Sequence, residues 1–217
     1  MTKLAASIIL ATYCPDKIRY ELCKRSFSEI SQTGLSRNWY ELIIIDNGGI
    51  HRDLIEELGA DLIITNDENM GQAAALKQGI AISKSPNIVL MDDDLSYRKG
   101  WLAAGVKMVN YYPEAVISLR HDFDPKQKRV IEKTRRGHMV SDRAGGIWIM
   151  RRRIYDLVGE FGQDYYDWGG LWTRNMKRQG IQFVISKTPY IFHIGEGKSI
   201  VRKMRGGKWK IPKKKKH

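Results

Sequence analysis

Few residues in this sequence staple or anchor a chain. There are only two cysteines, Cys14 and Cys23, in 217 residues. They lack metal-ligand spacing and cannot build a disulfide framework, which argues against a disulfide-stapled secreted domain and for a reduced, cytoplasmic setting. No apolar run approaches the ~20 residues needed to span a bilayer. Met1 to Leu10 is weakly apolar, carries one lysine and shows no clear cleavage site, so it reads as a first strand and not as a signal peptide. No internal repeat occurs, and low complexity is confined to a terminal lysine run. Hydrophobic residues, by contrast, make up 42% of the chain, enough for a core and too many for wholesale disorder. The length suits one α/β domain, given the usual ~100–200 residues per domain.

Acidic residues are also in deficit, with 24 Asp and Glu against 37 Lys and Arg and a formal net charge of +13. The excess is local. Lys198 to His217 holds ten cations and no acid, and residues 120–153 hold eleven Lys or Arg against four acids. The rest of the chain is net acidic. Such a block attracts a polyanion, either nucleic acid or an anionic membrane surface, unless it serves only as a solubilising tail. Trp209 is the tail's one aromatic residue, which supports neither membrane insertion nor base stacking.

Strand-like apolar runs alternate with helical periodicity through the first half. Leu4–Ala11, Glu41–Ile45, Asp61–Thr65 and Asn87–Met91 read as strands. Lys17–Ile30, with Ile18, Leu22 and Ile30 on one side, reads as a helix, as do Asp53–Leu58, the Ala-rich Gly71–Ser83 and Trp101–Tyr111. This rhythm predicts βαβ units and a mostly parallel sheet flanked by helices, its strands apolar throughout because both faces are covered. The second half is less regular. Ala115–Arg120, Lys128–Lys133, Ile181–Ile185 and Tyr190–His193 are strand candidates, and Arg151–Val158 and Trp168–Gln179 are helical. Ligands of such sheets bind beyond the carboxyl ends of the strands. There the turn residues gather: Thr12-Tyr13, Asp46-Asn47, Asn66 to Asn69 and Asp92 to Asp94.

Asp92-Asp93-Asp94, directly after Ile88-Val89-Leu90-Met91, is the sharpest chemical signal. Adjacent carboxylates at a strand end need a cation or generous solvent. Alternation along an extended chain would point Asp92 and Asp94 the same way. Their oxygens suit Mg²⁺ or Mn²⁺ bridging to a diphosphate; the bland alternative is an acidic surface loop. Asp46 could accept from a base N–H, with Gly48 and Gly49 allowing tight backbone, or could belong to an ordinary turn. Asn69 and Gly71 open a helix whose amides could approach a phosphate, with Lys77 as a further partner; capping alone would also explain Asn69. His193, after an aromatic run, is either structural or the nitrogen ligand of a metal site.

Taken in order, Asp46-Asn47-Gly48, Asn69-x-Gly71, Asp92-x-Asp94, Gly145-Gly146 before Arg151-Arg152, Val158-Gly159-x-Phe161 and His193 resemble glycosyltransferase family 2. Tyr166-Asp167-Trp168-Gly169-Gly170 is similar to the Trp-Gly-Gly segment of galactosyl- and N-acetylgalactosaminyl-transferases. The resemblance covers roughly residues 4–195. It implies a GT-A fold over residues 1–197, followed by the basic tail 198–217. It also implies a nucleotide-sugar donor, most often UDP-linked, with Thr12, Tyr13 and Asp46 around the nucleoside, Asp92 and Asp93 near the donor, and Asp94 and His193 on Mn²⁺ or Mg²⁺. One departure stands out: where those families place an acidic catalytic base after Trp-Gly-Gly, this chain has Leu171 and Trp172. Asp167 is then the best remaining base and Asp164 the reserve, with a retaining mechanism lacking such a base also open.

The resulting expectation is an inverting, metal-dependent glycosyltransferase in a bacterial or phage-infected cytoplasm. A polyanionic acceptor fits its charge, with a hydroxymethylated pyrimidine in DNA favoured over a lipid-linked or surface glycan at an anionic membrane. Two other classes compete. One is a non-catalytic nucleic-acid-binding protein on a degenerate transferase fold. The other is a sugar nucleotidyltransferase, which would show a Gly-rich basic loop where Thr12-Tyr13-Cys14-Pro15 stands.

Overall fold

Of the four apolar runs in the first half, three become inner strands of one nine-stranded sheet, while the run 61–65, expected to be covered on both faces, forms its largely exposed edge. The computed structural model describes residues 4–119, 130–142, 144, 145, 147–161 and 168–194. Its strands are β1 (Ala6–Cys14), β2 (Tyr40–Gly49), β3 (Leu62–Thr65), β4 (Asn87–Met91), β5 (Leu95–Tyr97), β6 (Val116–Ser118), β7 (Val130–Lys133), β8 (Met139–Ser141), β9 (Trp148–Arg151), β10 (Phe183–Ile185) and β11 (Ile191–His193). Its α-helices are α1 (Lys17–Ile30), α2 (Arg52–Glu57), α3 (Gln72–Ile82), α4 (Trp101–Tyr111), α5 (Arg152–Val158) and α6 (Trp168–Arg178). The sheet order is β3-β2-β1-β4-β9-β6-β10-β8-β7, and β5 and β11 form a separate two-stranded ribbon.

Strands β3, β2, β1 and β4 are parallel, and so are β6 and β10; β9 runs antiparallel between β4 and β6. The expected mostly parallel sheet flanked by helices is therefore present. Side-chain alternation divides its core into two layers. Ile8, Leu10 and Ile44 meet α1, α2 and α4 on one face, while Ile9, Ile43 and Ile45 meet α3, α5 and α6 on the other. Helix α3 approaches closely because Gly79 has no Cβ: one there would run into Ile9 and lie 2.8 Å from Ile45 Cδ1. Trp172 is fully buried, stacks on Trp148 at 5.1 Å between centroids, and donates from Nε1 to Gly159 O at 2.8 Å. Removing a core Trp side chain costs roughly 3–5 kcal/mol.

A further expectation is corrected, and two strands are additions to the sequence reading. Ile18 is 48% exposed, and the buried face of α1 is Arg19, Leu22, Cys23, Ser26, Phe27 and Ile30. Strands β5 and β8 have three residues each, too short for apolar alternation to reveal. Among the described residues no helix is long and apolar enough to cross a membrane.

Candidate active site

Strand register brings the polar residues to one edge. Thr12 lies opposite Asp46 in the parallel β1–β2 pair, and β4, on the other side of β1, leads directly into Asp92. The triplet does not prolong that strand. The chain bends at Asp93 and Asp94 to enter β5, so alternation stops there and Asp92 and Asp94 do not point the same way. Asp92 accepts from Gln72 Nε2 on α3 at 2.8 Å, while Asp93 and Asp94 both turn to Arg19 on α1.

Arg19 is placed by local structure. Asp16 caps α1, its Oδ1 accepting from Arg19 N at 3.0 Å, which sets Arg19 in the first turn with its side chain buried. A cation there opposes the helix dipole; the two carboxylates offset that cost. Burial works to lower the Arg19 pKa, but Asp93 and Asp94 outweigh it and the net shift is upward.

Asp93 is surrounded by the chain's own donors. Thr12 Oγ1 donates to its Oδ2 at 2.8 Å, the Tyr13 amide does so at 3.2 Å, and Arg19 pairs with Oδ1. Asp94 is different. Its Oδ2 lies 2.8 Å from Arg19 Nη1 and 3.1 Å from His193 Nε2, while Oδ1 makes no hydrogen bond among the described residues. Burial pushes the Asp94 carboxyl up, but His193 and Arg19 prevail and hold it down at about 2. His193 arrives through the β5–β11 ribbon, where it is paired with Leu95; the next amide, Ile194 N, donates to Asp94 O at 2.9 Å.

Thr12 is buried and its hydroxyl is engaged inside the chain. Besides Asp93 it meets His51 Nε2 at 2.8 Å. Because that hydroxyl donates to Asp93, His51 donates to it, which leaves a buried His51 Nδ1 with no partner among the described residues. Burial lowers the His51 pKa, in keeping with a neutral ring.

Asp46 forms the other wall. It is 5% exposed; Oδ2 accepts from Arg52 Nη1 at 3.1 Å, whereas Oδ1 is buried without a partner among the described residues. Such an acceptor costs ~1–3 kcal/mol, a cost that a ligand N–H would remove. Gly49 must be glycine: a Cβ would lie 2.5 Å from Cys14 O, and φ is 139°. Asn47 ties this strand end to the start of α3, accepting from Met70 N at 3.1 Å and donating to Asn69 Oδ1 at 2.8 Å. Asn69 Oδ1 also accepts from Gly71 N at 3.0 Å, and Gly71, with φ 81°, caps α3. Lys77 lies further along α3, ion-paired with Glu160 at 2.7 Å.

The structure thus brings together Thr12, Tyr13, Asp92, Asp93, Asp94 and His193, with Asp46 near the end of β2 and Asn69 and Gly71 on the loop before α3 alongside. Asp167, Asp164 and the tail 198–217 lie outside the described residues. Arg19, His51 and Gln72 are partners that sequence reading did not single out.

A divalent cation fits this donor set. Among the described residues no group of three His, Cys, Asp or Glu could hold a metal. Mg²⁺-type sites, however, need only one or two protein groups beside water and substrate phosphates. Adjacent ligands of an octahedron at ~2.1 Å lie ~3 Å apart, close to the 3.1 Å between Asp94 Oδ2 and His193 Nε2. The open Asp94 Oδ1 provides a further acceptor.

Comparison with known proteins gives a consistent picture. Residues 21–177 match the family model described as glycosyl transferase family 2. No curated protein sequence matches the chain. Among solved structures, the mannosyltransferase PcManGT from Pyrobaculum calidifontis, in complex with GDP-Man and Mn²⁺, has a TM-score of 0.68 at 15% identity, covering 89% of this chain and 57% of that one. TarS 1–349 of S. aureus has 0.65 at 12%, covering 90% and 61%. GalNAc-T7 with UDP, GalNAc and Mn²⁺ has 0.65 at 14%, covering 88% and 44%. At these identities the likeness is one of fold, and the chain spans 44–61% of those structures.

Proposed function

The chain belongs to glycosyl transferase family 2 and has the GT-A fold, and from that premise we propose a metal-dependent transferase that moves a hexose from a nucleotide-diphosphate sugar to an acceptor hydroxyl. The observation that carries this reading is the Asp94–His193 pair, with an open carboxylate oxygen, on the sheet edge shared with Asp46. Mn²⁺ in two structural relatives supports the same metal here.

A cation held by Asp94 and His193 would offset charge on the leaving diphosphate. Asp46 Oδ1 accepts from a base N–H, and uracil fits as a donor of one; UDP is the proposed nucleotide. The start of α3 at Gly71 lies toward the phosphates. Asp92 meets the donor, while Asp93, Thr12 and His51 hold the floor beneath it. Asp167 takes the proton from the acceptor hydroxyl as its oxygen bonds to the anomeric carbon and the bond to the diphosphate breaks, with inversion.

The acceptor is a polyanion, with modified DNA favoured over an anionic membrane surface. The ten cations of residues 198–217 support this choice. The test is a panel of nucleotide sugars with Mn²⁺ against hydroxymethylated DNA and against lipid and glycan acceptors, read by mass spectrometry. Glycosylated DNA is expected, with less of it after truncation behind Gly197 while donor hydrolysis is unchanged. Product on lipid or glycan alone would replace the acceptor, and no turnover of any donor would overturn the transferase reading.

A further inference from the structure

A second concave site lies beside α4, a groove of about 490 Å³ bounded by that helix, the β7–β8 turn and the segment after β10. This is within the ~300–1,000 Å³ usual for ligand pockets. Lys99, Lys107, Arg136 and Lys187 line it, and among the described residues no carboxylate does. None of the four has an ion-pair partner among the described residues. Unlike the surface cations Arg37 and Arg153, which are paired with Asp61 and Glu114, these converge on one space with no carboxylate beside them among the described residues.

The lining is organised. Arg136 stacks over the Tyr111 ring with Cζ 3.9 Å from the centroid, and Lys107 approaches the same ring at 6.0 Å. The β7–β8 turn that carries Arg136 is fixed by Tyr112, whose hydroxyl donates to Thr134 Oγ1 at 3.0 Å. His138 accepts at Nδ1 from Lys187 N at 3.0 Å, so a neutral His138 keeps its proton on Nε2 as a further donor. The first amides of α4 are already engaged, Gly100 N on Gln32 O and Ala103 N on Thr33 O, so the side-chain cations, not the helix end, make this an anion site.

We infer that this groove binds the phosphodiester backbone of a single-stranded polynucleotide, the acceptor strand as it approaches the transfer site. The inference rests on the polyanionic-acceptor reading above. Concavity favours a strand over a membrane: a strand can enter a groove between a helix and a turn, whereas a bilayer surface cannot. Cations interleaved with an aromatic ring suit phosphates and stacked bases together. The groove is connected to the active site through the β5–β11 ribbon. Lys99 follows β5 by two residues and Tyr190 directly precedes β11, and Arg98 N donates to Tyr190 O at 2.8 Å. The ribbon that follows Asp94 and ends in His193 therefore reaches the groove's rim at its other end, five residues from Asp94 to Lys99 and at most about 17 Å along the chain.

The experiment measures binding of a short fluorescent oligo-thymidylate to the full chain and to the double variant Lys107→Gln/Arg136→Gln as salt is varied. Losing two phosphate contacts should weaken binding at least about tenfold and flatten the log–log salt slope by about 1.4, since each contact on a single strand contributes ~0.7. The slope counts contacts, so it reads the groove even while the tail binds. UDP affinity and donor hydrolysis should be unchanged. Equal affinity and equal slope in the two proteins would overturn the proposal, as would a variant that loses only its affinity for anionic vesicles. Failure of donor hydrolysis in both proteins would instead count against the transferase reading and leave the oligonucleotide comparison intact.

Discussion

Arg19 donates from Nη1 to Asp94 at 2.8 Å, onto the carboxylate oxygen that lies 3.1 Å from His193 Nε2, and its other terminal nitrogen pairs with Asp93. One planar fork therefore holds two carboxylates that would otherwise repel. Arg19→Met leaves both buried without their shared cation, Asp93 keeping Thr12 and the Tyr13 amide and Asp94 keeping His193. Removing one partner of a buried ion pair costs roughly 3–5 kcal/mol. Urea unfolding of the variant should show a loss of this size, with part of it recovered in Mn²⁺. Stability within about 1 kcal/mol of the parent would mean that the fork does not hold the triplet.

Asp46 offers the donor a buried acceptor. Asp46→Ala should weaken UDP binding by ~1–3 kcal/mol. Arg52, half exposed, contributes little as an ion pair, so Arg52→Gln should leave UDP affinity nearly intact. Calorimetry separates the two variants; unchanged affinity in Asp46→Ala removes that residue from the donor site.

How much of this was legible in the sequence depends on the element. Helices α1 and α4 and strand β4 fall where periodicity and breakers place them, because Asp16 caps one helix and apolar runs are long enough to mark the others. The inner phase of α1 was not legible. Leu22, Cys23, Ser26, Phe27 and Ile30 share one face, and continuing it back one turn lands on Arg19. An apolar template prefers Ile18 there and so hides the buried cation. Asp94 and His193 were recognisable as residue types, but the bend that turns Asp94 away from Asp92 depends on β5, too short to leave a pattern. His51 carried no signal, since its burial comes from tertiary contact with Thr12 and Phe27.

The buried His51 makes stability depend on pH. Burial is the largest influence on its pKa and lowers it, against the pull of Asp46 and Asp93. The unfolded chain therefore binds a proton more readily than the folded one. The contribution to stability is fully present above the ordinary histidine value of ~6.5 and is lost as pH falls from there through the folded value. His51→Gln should show a smaller drop in denaturant midpoint than the parent as pH is lowered from ~7 to below the ordinary histidine value. Parallel pH profiles in the two proteins would contradict the assignment.

Asp167 is the proposed general base. Asp167→Asn should lower turnover by ~10²-fold or more while donor affinity is kept, because the base acts on the acceptor. Near-normal turnover would move the role to Asp164 or to a mechanism without a base. Trp172, at the position where related enzymes are expected to be acidic, is core and cannot take it up.

Metal-dependent donor chemistry at Asp94 is the central claim, and the most direct test is hydrolysis of UDP-sugars by the parent and by Asp94→Asn, with Mn²⁺ and with EDTA, after circular dichroism has established that the variant folds. Turnover is expected in the parent with Mn²⁺ alone, and none in EDTA or in the folded variant. Full activity in EDTA, or in Asp94→Asn, would contradict it.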